Sequence, residues 1–232
     1  KIIHLYKDMS ARDLLVRRST NSRGDTSWEL APLLQAAQLG EMAILDGIHR
    51  IPPETLSVLE PLLQDRMISL PNGWQMVRSD RWEEIMAEQG MNEEEMQEKG
   101  LLRVHPSFRV MAIAAPPSAE HDWLTAENAS MFSFHRLEPL EEEVNERVLR
   151  EMFPLAPPEL VHAAAAMARE FDRLKGEPVL EGSSLSLSLR QLIRIVRRSS
   201  SYPQDFVPAL ERSLMMPFLP HSIQESVVRV IS

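Results

Sequence analysis

The feature that most constrains the fold of this chain is a short apolar run, Met42 to Leu45, that ends in the carboxylate Asp46. Such a run predicts a β-strand buried on both faces, as in parallel sheets that helices cover on both sides. In an open α/β sheet, ligands bind at the carboxyl ends of the strands, which is where Asp46 stands. The run therefore predicts a parallel sheet with a candidate functional carboxylate at its ligand-binding edge.

Strand and helix signals alternate through the first half of the chain. Further buried strands are predicted over residues 1–6 and 107–115, and the Asn72-Gly73 pair between two short apolar runs predicts a hairpin. Residues 20–28 read as a polar loop, and residues 132–137 as a last short strand. Apolar periodicity and capping residues predict helices over residues 9–18, 32–39, 54–63 and 81–99.

Only helical patterns follow Pro139. Helices are predicted over residues 141–153, 158–174, 188–198 and 203–215, with a loop over residues 176–184. Because alternating elements give way to helices alone, the sequence predicts an α/β domain over residues 1–137 and an all-α domain over residues 138–232.

Composition removes several classes of function. A formal net charge of −9 over 232 residues argues against nucleic acid as the main partner, because phosphate backbones need a basic face. The absence of cysteine excludes disulfides and thiolate metal sites. No apolar stretch approaches the roughly 20 residues that span a bilayer. The seven histidines show no metal-ligand spacing, and the glutamate runs at 93–95 and 141–143 are typical of solvated helix faces.

Four strings carry a resemblance to a known family. Leu45-Asp46 resembles the end of a Walker B strand, and residues 64–73 resemble the hairpin before a sensor 1 strand. His105-Pro-Ser-Phe-Arg109 resembles the entry to that strand, and Ser186-Leu-Ser-Leu-Arg190 resembles a lid helix with sensor 2. In this order and spacing they resemble the AAA+ ATPases, in the branch of midasin, dynein and the MoxR proteins. The resemblance implies a P-loop-type α/β parallel-sheet core followed by an all-α lid.

The resemblance also implies a nucleotide site. Asp46 would hold Mg²⁺ against ATP, and Arg190 would contact the γ-phosphate from the lid. The phosphate loop G-x-x-x-x-G-K-[ST] is absent, and residues 1–6 resemble the strand that follows it in the family. The expectation is that the first strand and the phosphate loop lie ahead of Lys1.

Three catalytic positions of the family are degenerate. Gly47 stands where a glutamate orients the attacking water, and Ala115 stands at the sensor 1 asparagine. Met131 precedes Phe132 where the family has its arginine finger, with Arg136 close by. The nearest titratable group to Gly47 is His49, which we interpret as an ordinary loop histidine. No catalytic residue is therefore expected to be intact.

The sequence thus favours a module that binds ATP with weak or no hydrolysis. Its role would be structural or regulatory, in a ring of linked modules. The parent protein is expected to be an ATPase, with neighbouring AAA+ modules as partners and a protein as a possible substrate. One alternative is an active module whose water-orienting group comes from elsewhere. Another is a nucleotide-free scaffold that docks partners through residues 81–99. A narrower resemblance, to a multi-module member that is mitochondrial in animals, implies a mitochondrial location.

Overall fold

The computed structural model describes residues 1–20, 24, 26–117, 122–138, 140–174 and 186–231. The chain divides into two compact units, Lys1–His135 and Arg136–Ser232. The loop predicted over residues 176–184 lies outside the described residues.

The first unit alternates strands and helices along the chain. Its strands are β1 (Ile2–His4), β2 (Val16–Thr20), β3 (Thr26–Leu30), β4 (Met42–Asp46), β5 (Ile68–Ser69), β6 (Gln75–Arg78), β7 (Leu101–Val104) and β8 (Arg109–Ile113). Its helices are α1 (Ala11–Leu15), α2 (Pro32–Leu39), α3 (Pro53–Ser57), α4 (Glu60–Gln64), α5 (Ser79–Gln89), α6 (Glu93–Glu98) and α7 (Ala126–Ser130).

The central sheet is parallel and has the order β1-β4-β8 in the described residues. One of its faces packs into the main core, where Ala43 and Leu45 are fully buried against Leu33 and Leu34 of α2. The other face is half exposed, and Met42 retains 50% of its accessible surface. The prediction of strands buried on both faces is therefore wrong for this chain, because the helices of the unit cover one face only.

Two corrections concern the helices before and after β4. The capping box predicted at Ser10 and Asp13 is present, but α1 ends at Leu15. The chain then forms the antiparallel hairpin β2–β3 instead of a polar loop, since β2 pairs residue by residue with β3. The helix predicted over residues 54–63 is split into α3 and α4, because Pro61 has no N–H to continue the ladder.

The charged excursion after β6 is helical, as predicted, and it also has a small core of its own. Trp82 of α5 and Met96 of α6 are buried together with Val77 of β6. The prediction missed β7, which pairs in parallel with β6 at the end of the excursion. The short strand predicted over residues 132–137 is absent, since that segment has no sheet partner in the described residues.

The second unit contains no strand in its described residues. Its helices are α8 (Glu142–Met152), α9 (Pro158–Leu174), α10 (Leu189–Ser201), α11 (Phe206–Ser213) and α12 (His221–Ile231). The first four match the predicted helices within a few residues, and α12 was missed. Their apolar faces share one core around Phe171 and Leu192. In the described part of the chain, no helix has the length and apolarity that a membrane crossing requires.

Candidate functional site

Asp46 lies at the carboxyl edge of the central sheet, as the last residue of β4. Its backbone is held there, because Leu5 N–H donates to Asp46 O at 2.9 Å. The carboxylate Oδ2 is 3.0 Å from Nδ1 of His4, its register partner on β1. The Asp46 side chain remains 34% exposed. A ligand can therefore reach this carboxylate, and sequence reasoning missed its imidazole neighbour.

Asp46 fits Mg²⁺ only as one ligand among several. No group of three acidic or histidine side chains in the described ranges could hold a metal ion by itself. Mg²⁺ is commonly bound by one or two carboxylates together with substrate phosphates. The donor chemistry at this edge therefore fits a metal that arrives with a nucleotide, and the role of Asp46 as its ligand stays a prediction.

Gly47 has a backbone that ordinary residues rarely adopt. It is buried, with φ at +92°, and its N–H donates to Ile113 O at 2.8 Å. A Cβ on Gly47 would lie 3.0 Å from Nε of Arg50 and 3.1 Å from its Cδ and Cζ. The arginine side chain thus occupies the space into which a residue at this position would project. The position of the missing glutamate therefore has a left-handed backbone and a space that Arg50 fills.

Ala115, two residues beyond β8, has both of its backbone groups bonded. Its N–H donates to Nδ1 of His49 at 3.0 Å, and its carbonyl accepts from Nε1 of Trp123 at 3.1 Å. Because a backbone N–H is always a donor, Nδ1 of His49 is the acceptor in this bond. His49 is a loop histidine, as interpreted, but it also joins the turn after Asp46 to the end of β8.

Behind Ala115 lies a buried polar support. Trp123 is buried, and its carbonyl accepts from Nδ2 of Asn128 at 3.1 Å. Asn128 is only 1% exposed, and its N–H donates to Oγ1 of Thr125, the N-cap of α7. These contacts fix the indole that holds Ala115. No spacing in the sequence indicates them, because the partners come from a loop and a five-residue helix.

Arg66 anchors the entry to β8. Its Nη1 donates to Phe108 O at 3.0 Å, and its guanidinium lies 5.3 Å from the centre of the Phe108 ring. Burial, and secondarily the nearby charge of Arg109, lower the pKa of Arg66. Arg66 also has φ at +58°. It therefore positions the strand that leads to Ala115.

The remaining predicted positions lie after α7 or in the second unit. Met131 follows α7 and packs, half buried, against the main core, where it offers no charge. Arg136 belongs to the second unit and pairs with Glu138 at 2.8 Å. Arg190 is the second residue of α10, whose N-cap Ser188 forms a capping box with Gln191. Its guanidinium is exposed, and its contact with nucleotide stays a prediction.

Comparison with known proteins places this geometry in a family. Residues 1–132 match the family described as AAA domain (dynein-related subfamily). Von Willebrand factor A domain-containing protein 8 from Mus musculus is 38% identical over 229 residues, which is 97% of this chain and 12% of that protein. Midasin from Dictyostelium discoideum is 31% identical over 88 residues, which is 38% of this chain and 2% of midasin. A crystal structure of a Cytophaga hutchinsonii protein matches with a TM-score of 0.44 at 14% identity, over 100% of this chain and 76% of the other.

The matches confirm the predicted resemblance to the midasin and dynein branch, and the parallel core followed by helices agrees with it. The chain spans a small part of the length of both curated relatives, 12% of one and 2% of the other. The chain belongs to the dynein-related subfamily of AAA domains.

Proposed function

We propose that this chain is a AAA+ module that binds ATP with Mg²⁺, hydrolyses it slowly or not at all, and has a structural or regulatory role in a ring of linked modules. The observation that carries the proposal is the turn after Asp46. Gly47 has φ at +92°, and the Arg50 side chain fills the space beside it. Gly47 has no side chain that could orient a water there.

The neighbouring groups do not replace the missing chemistry. Nδ1 of His49 already accepts the Ala115 N–H, so that lone pair is unavailable to a water. The methyl group of Ala115 cannot donate a hydrogen bond to a γ-phosphate, and Met131 supplies no cation. Because each such group normally contributes orders of magnitude to phosphoryl transfer, the module is proposed to be hydrolysis-deficient.

Binding is supported by what remains. The Asp46 backbone is held at the sheet edge by Leu5 N–H, and its partly exposed carboxylate lies 3.0 Å from Nδ1 of His4. ATP would supply the phosphate oxygens that complete a Mg²⁺ shell, with Asp46 as the protein's ligand. Arg190 is exposed and forms no ion pair with another described residue, and its guanidinium is well suited to a phosphate oxygen.

The wider role is proposed from the relatives. The protein 38% identical to this chain is about eight times longer, since the chain covers 12% of it. Linked modules would then be the partners, and sibling modules with intact motifs would drive work on a protein substrate. A mitochondrial location in animals is proposed from the same relationship, and fractionation of organelles tests it.

The test uses the full-length protein and the Asp46→Ala variant. Both are loaded with labelled ATP and Mg²⁺, separated from free nucleotide, and analysed for bound ATP and ADP. The proposal expects the variant to retain one nucleotide fewer per chain, and the missing nucleotide to be ATP. Asp65→Ala, an exposed aspartate that follows α4, is the matched control.

Two other outcomes would each contradict the proposal. If the nucleotide lost from Asp46→Ala is ADP and steady phosphate release falls with it, the module is active. If the variant retains as much nucleotide as the wild type, the module is a scaffold that binds none. The excursion α5–α6 would then be the first docking element to delete.

A further inference from the structure

A basic groove lies in the second unit between α10 and α11. Its volume is about 760 Å³, and four of the residues that line it are arginines: Arg190, Arg194, Arg198 and Arg212. The concentration of charge is local. Residues 186–231 contain six arginines and three acidic residues, although the whole chain has a net charge of −9. This groove is thus a cationic site in an acidic protein.

Within the described residues, three of the four arginines have no counter-charge. Arg198 is paired with Asp205 at 2.6 Å and lies 4.2 Å from the centre of the Tyr202 ring. Arg190, Arg194 and Arg212 form no ion pair with any other described residue. All three side chains are exposed along the groove. Their guanidinium donors are therefore available to a ligand.

The spacing of these arginines costs stability in the free protein. Arg190, Arg194 and Arg198 follow one another at intervals of four residues on α10, so they form one stripe of like charge. Like charges at this spacing destabilise a helix. Arg212 of α11 adds a further positive charge across the groove. A bound anion would relieve this repulsion, whereas the free groove keeps it.

The groove is also held rigid by hydrogen bonds at its end. Gln191 closes the α10 capping box with Ser188, and its Nε2 donates to Ser213 O at 2.7 Å. The start of α10 is thereby fixed to the end of α11. Met215, at the margin of the groove, has φ at +54°, a conformation that is rare outside glycine. The arginine-bearing walls are therefore preorganised.

We propose that this groove binds a polyphosphate anion through Arg190, Arg194 and Arg212. Guanidinium groups bind phosphate oxygens bidentately, and a polyphosphate concentrates several negative charges within one groove that three such side chains line. An acidic peptide spreads its charge along an extended backbone, whose polar groups would find few partners in a groove of arginines. The proposal goes beyond nucleotide contact by Arg190, since it assigns binding to Arg194 and Arg212 and does not require Asp46.

The test is isothermal titration of the 232-residue chain with inorganic tripolyphosphate, in EDTA so that no metal contributes. Arg194→Ala and Arg212→Ala are each expected to weaken binding about tenfold, as for the loss of one charge-assisted contact. Arg197→Ala is the matched control, because Arg197 is on the same helix but lies over the Phe153 ring. It is expected to change affinity by less than about twofold. Circular dichroism of each variant verifies that it is folded.

Three results would overturn the inference. The first is an absence of tripolyphosphate binding, and the second is an equal loss in Arg197→Ala, which would mean general electrostatic attraction. The third is tighter binding of a hexaglutamate peptide than of tripolyphosphate, which would indicate an acidic protein ligand. Asp46→Ala separates this inference from the proposed function. Tripolyphosphate binding that depends on Arg194 in this variant supports the groove, whatever the ATP retention of the full-length protein.

Discussion

Restoring the glutamate at position 47 is expected to destabilise the module without restoring hydrolysis. In Gly47→Glu the new residue must either keep φ near +92° or force the turn to change. A left-handed conformation costs an L-residue roughly 1–2 kcal/mol. The new Cβ would also lie 3.0–3.1 Å from Arg50 atoms, so the arginine must move. Because Arg50 is exposed and flexible, that movement adds less than about 1 kcal/mol, for a total of roughly 1–3 kcal/mol.

Urea denaturation of the chain measures this loss of stability. Two controls separate the backbone contribution from the contact with Arg50. Gly90→Ala has φ at +64° with no atom within 4 Å of the new Cβ, so it measures the backbone cost alone. A double-mutant cycle of Gly47→Ala with Arg50→Ala isolates the contact with the arginine. We expect Gly47→Ala to cost more than Gly90→Ala, and the excess to disappear when Arg50 is truncated.

Phosphate release by full-length Gly47→Glu is the second assay. No gain in phosphate release is expected, because the introduced glutamate side chain would start from a turn that faces Arg50. It would therefore not point toward a bound nucleotide. The reasoning is refuted if Gly47→Glu is as stable as the wild type, or if it gains phosphate release that Asp46→Ala removes. Either result would mean that the turn adapts to a glutamate at little cost.

Three further predictions concern stability. Asp13→Asn should cost about 1 kcal/mol at pH 7, as a lost capping contact does. Hydrogen bonds from Ser10 lower the pKa of Asp13 below its usual 3.8, so the stabilisation by Asp13 is present above pH 3.8 and is lost as the pH falls through the lower native pKa. Acid titration of the stability of both proteins measures this loss. Trp123→Phe removes the bond to Ala115 O and should cost about 1 kcal/mol in urea denaturation. Met96→Ala should cost about 2–5 kcal/mol, measured by hydrogen exchange within α5 and α6 against α2.

Local sequence signals predicted the elements that local interactions determine. The helix from Pro32 to Leu39 begins with a proline and ends at Gly40, whose φ of +75° is the usual left-handed stop. The hairpin predicted at Asn72-Gly73 is also present, and Gly73 has the left-handed φ, +86°, that such a turn uses. In both cases the residues that determine the local structure lie within the element itself.

Elements that depend on distant partners could not be predicted in this way. The strand Leu101–Val104 exists because it pairs with β6, and the excursion α5–α6 separates the two in sequence. The helix was predicted to continue to Arg18, yet the chain from Val16 to Thr20 pairs with β3. Exposure of one sheet face was also missed, because an apolar run does not say how many of its faces the surrounding helices cover.

At the candidate site, the sequence identified the degenerate positions but not how they are connected. His49 and Ala115 are 66 residues apart, and their hydrogen bond ties the turn after Asp46 to the end of β8. Gly47 in that turn donates to Ile113 O, so its backbone is tied to the same strand. The two positions therefore share one bonded unit, in which a change at one is transmitted to the other. It follows that reverting single residues should not recover hydrolysis additively, since positions 47 and 115 belong to this one hydrogen-bonded unit.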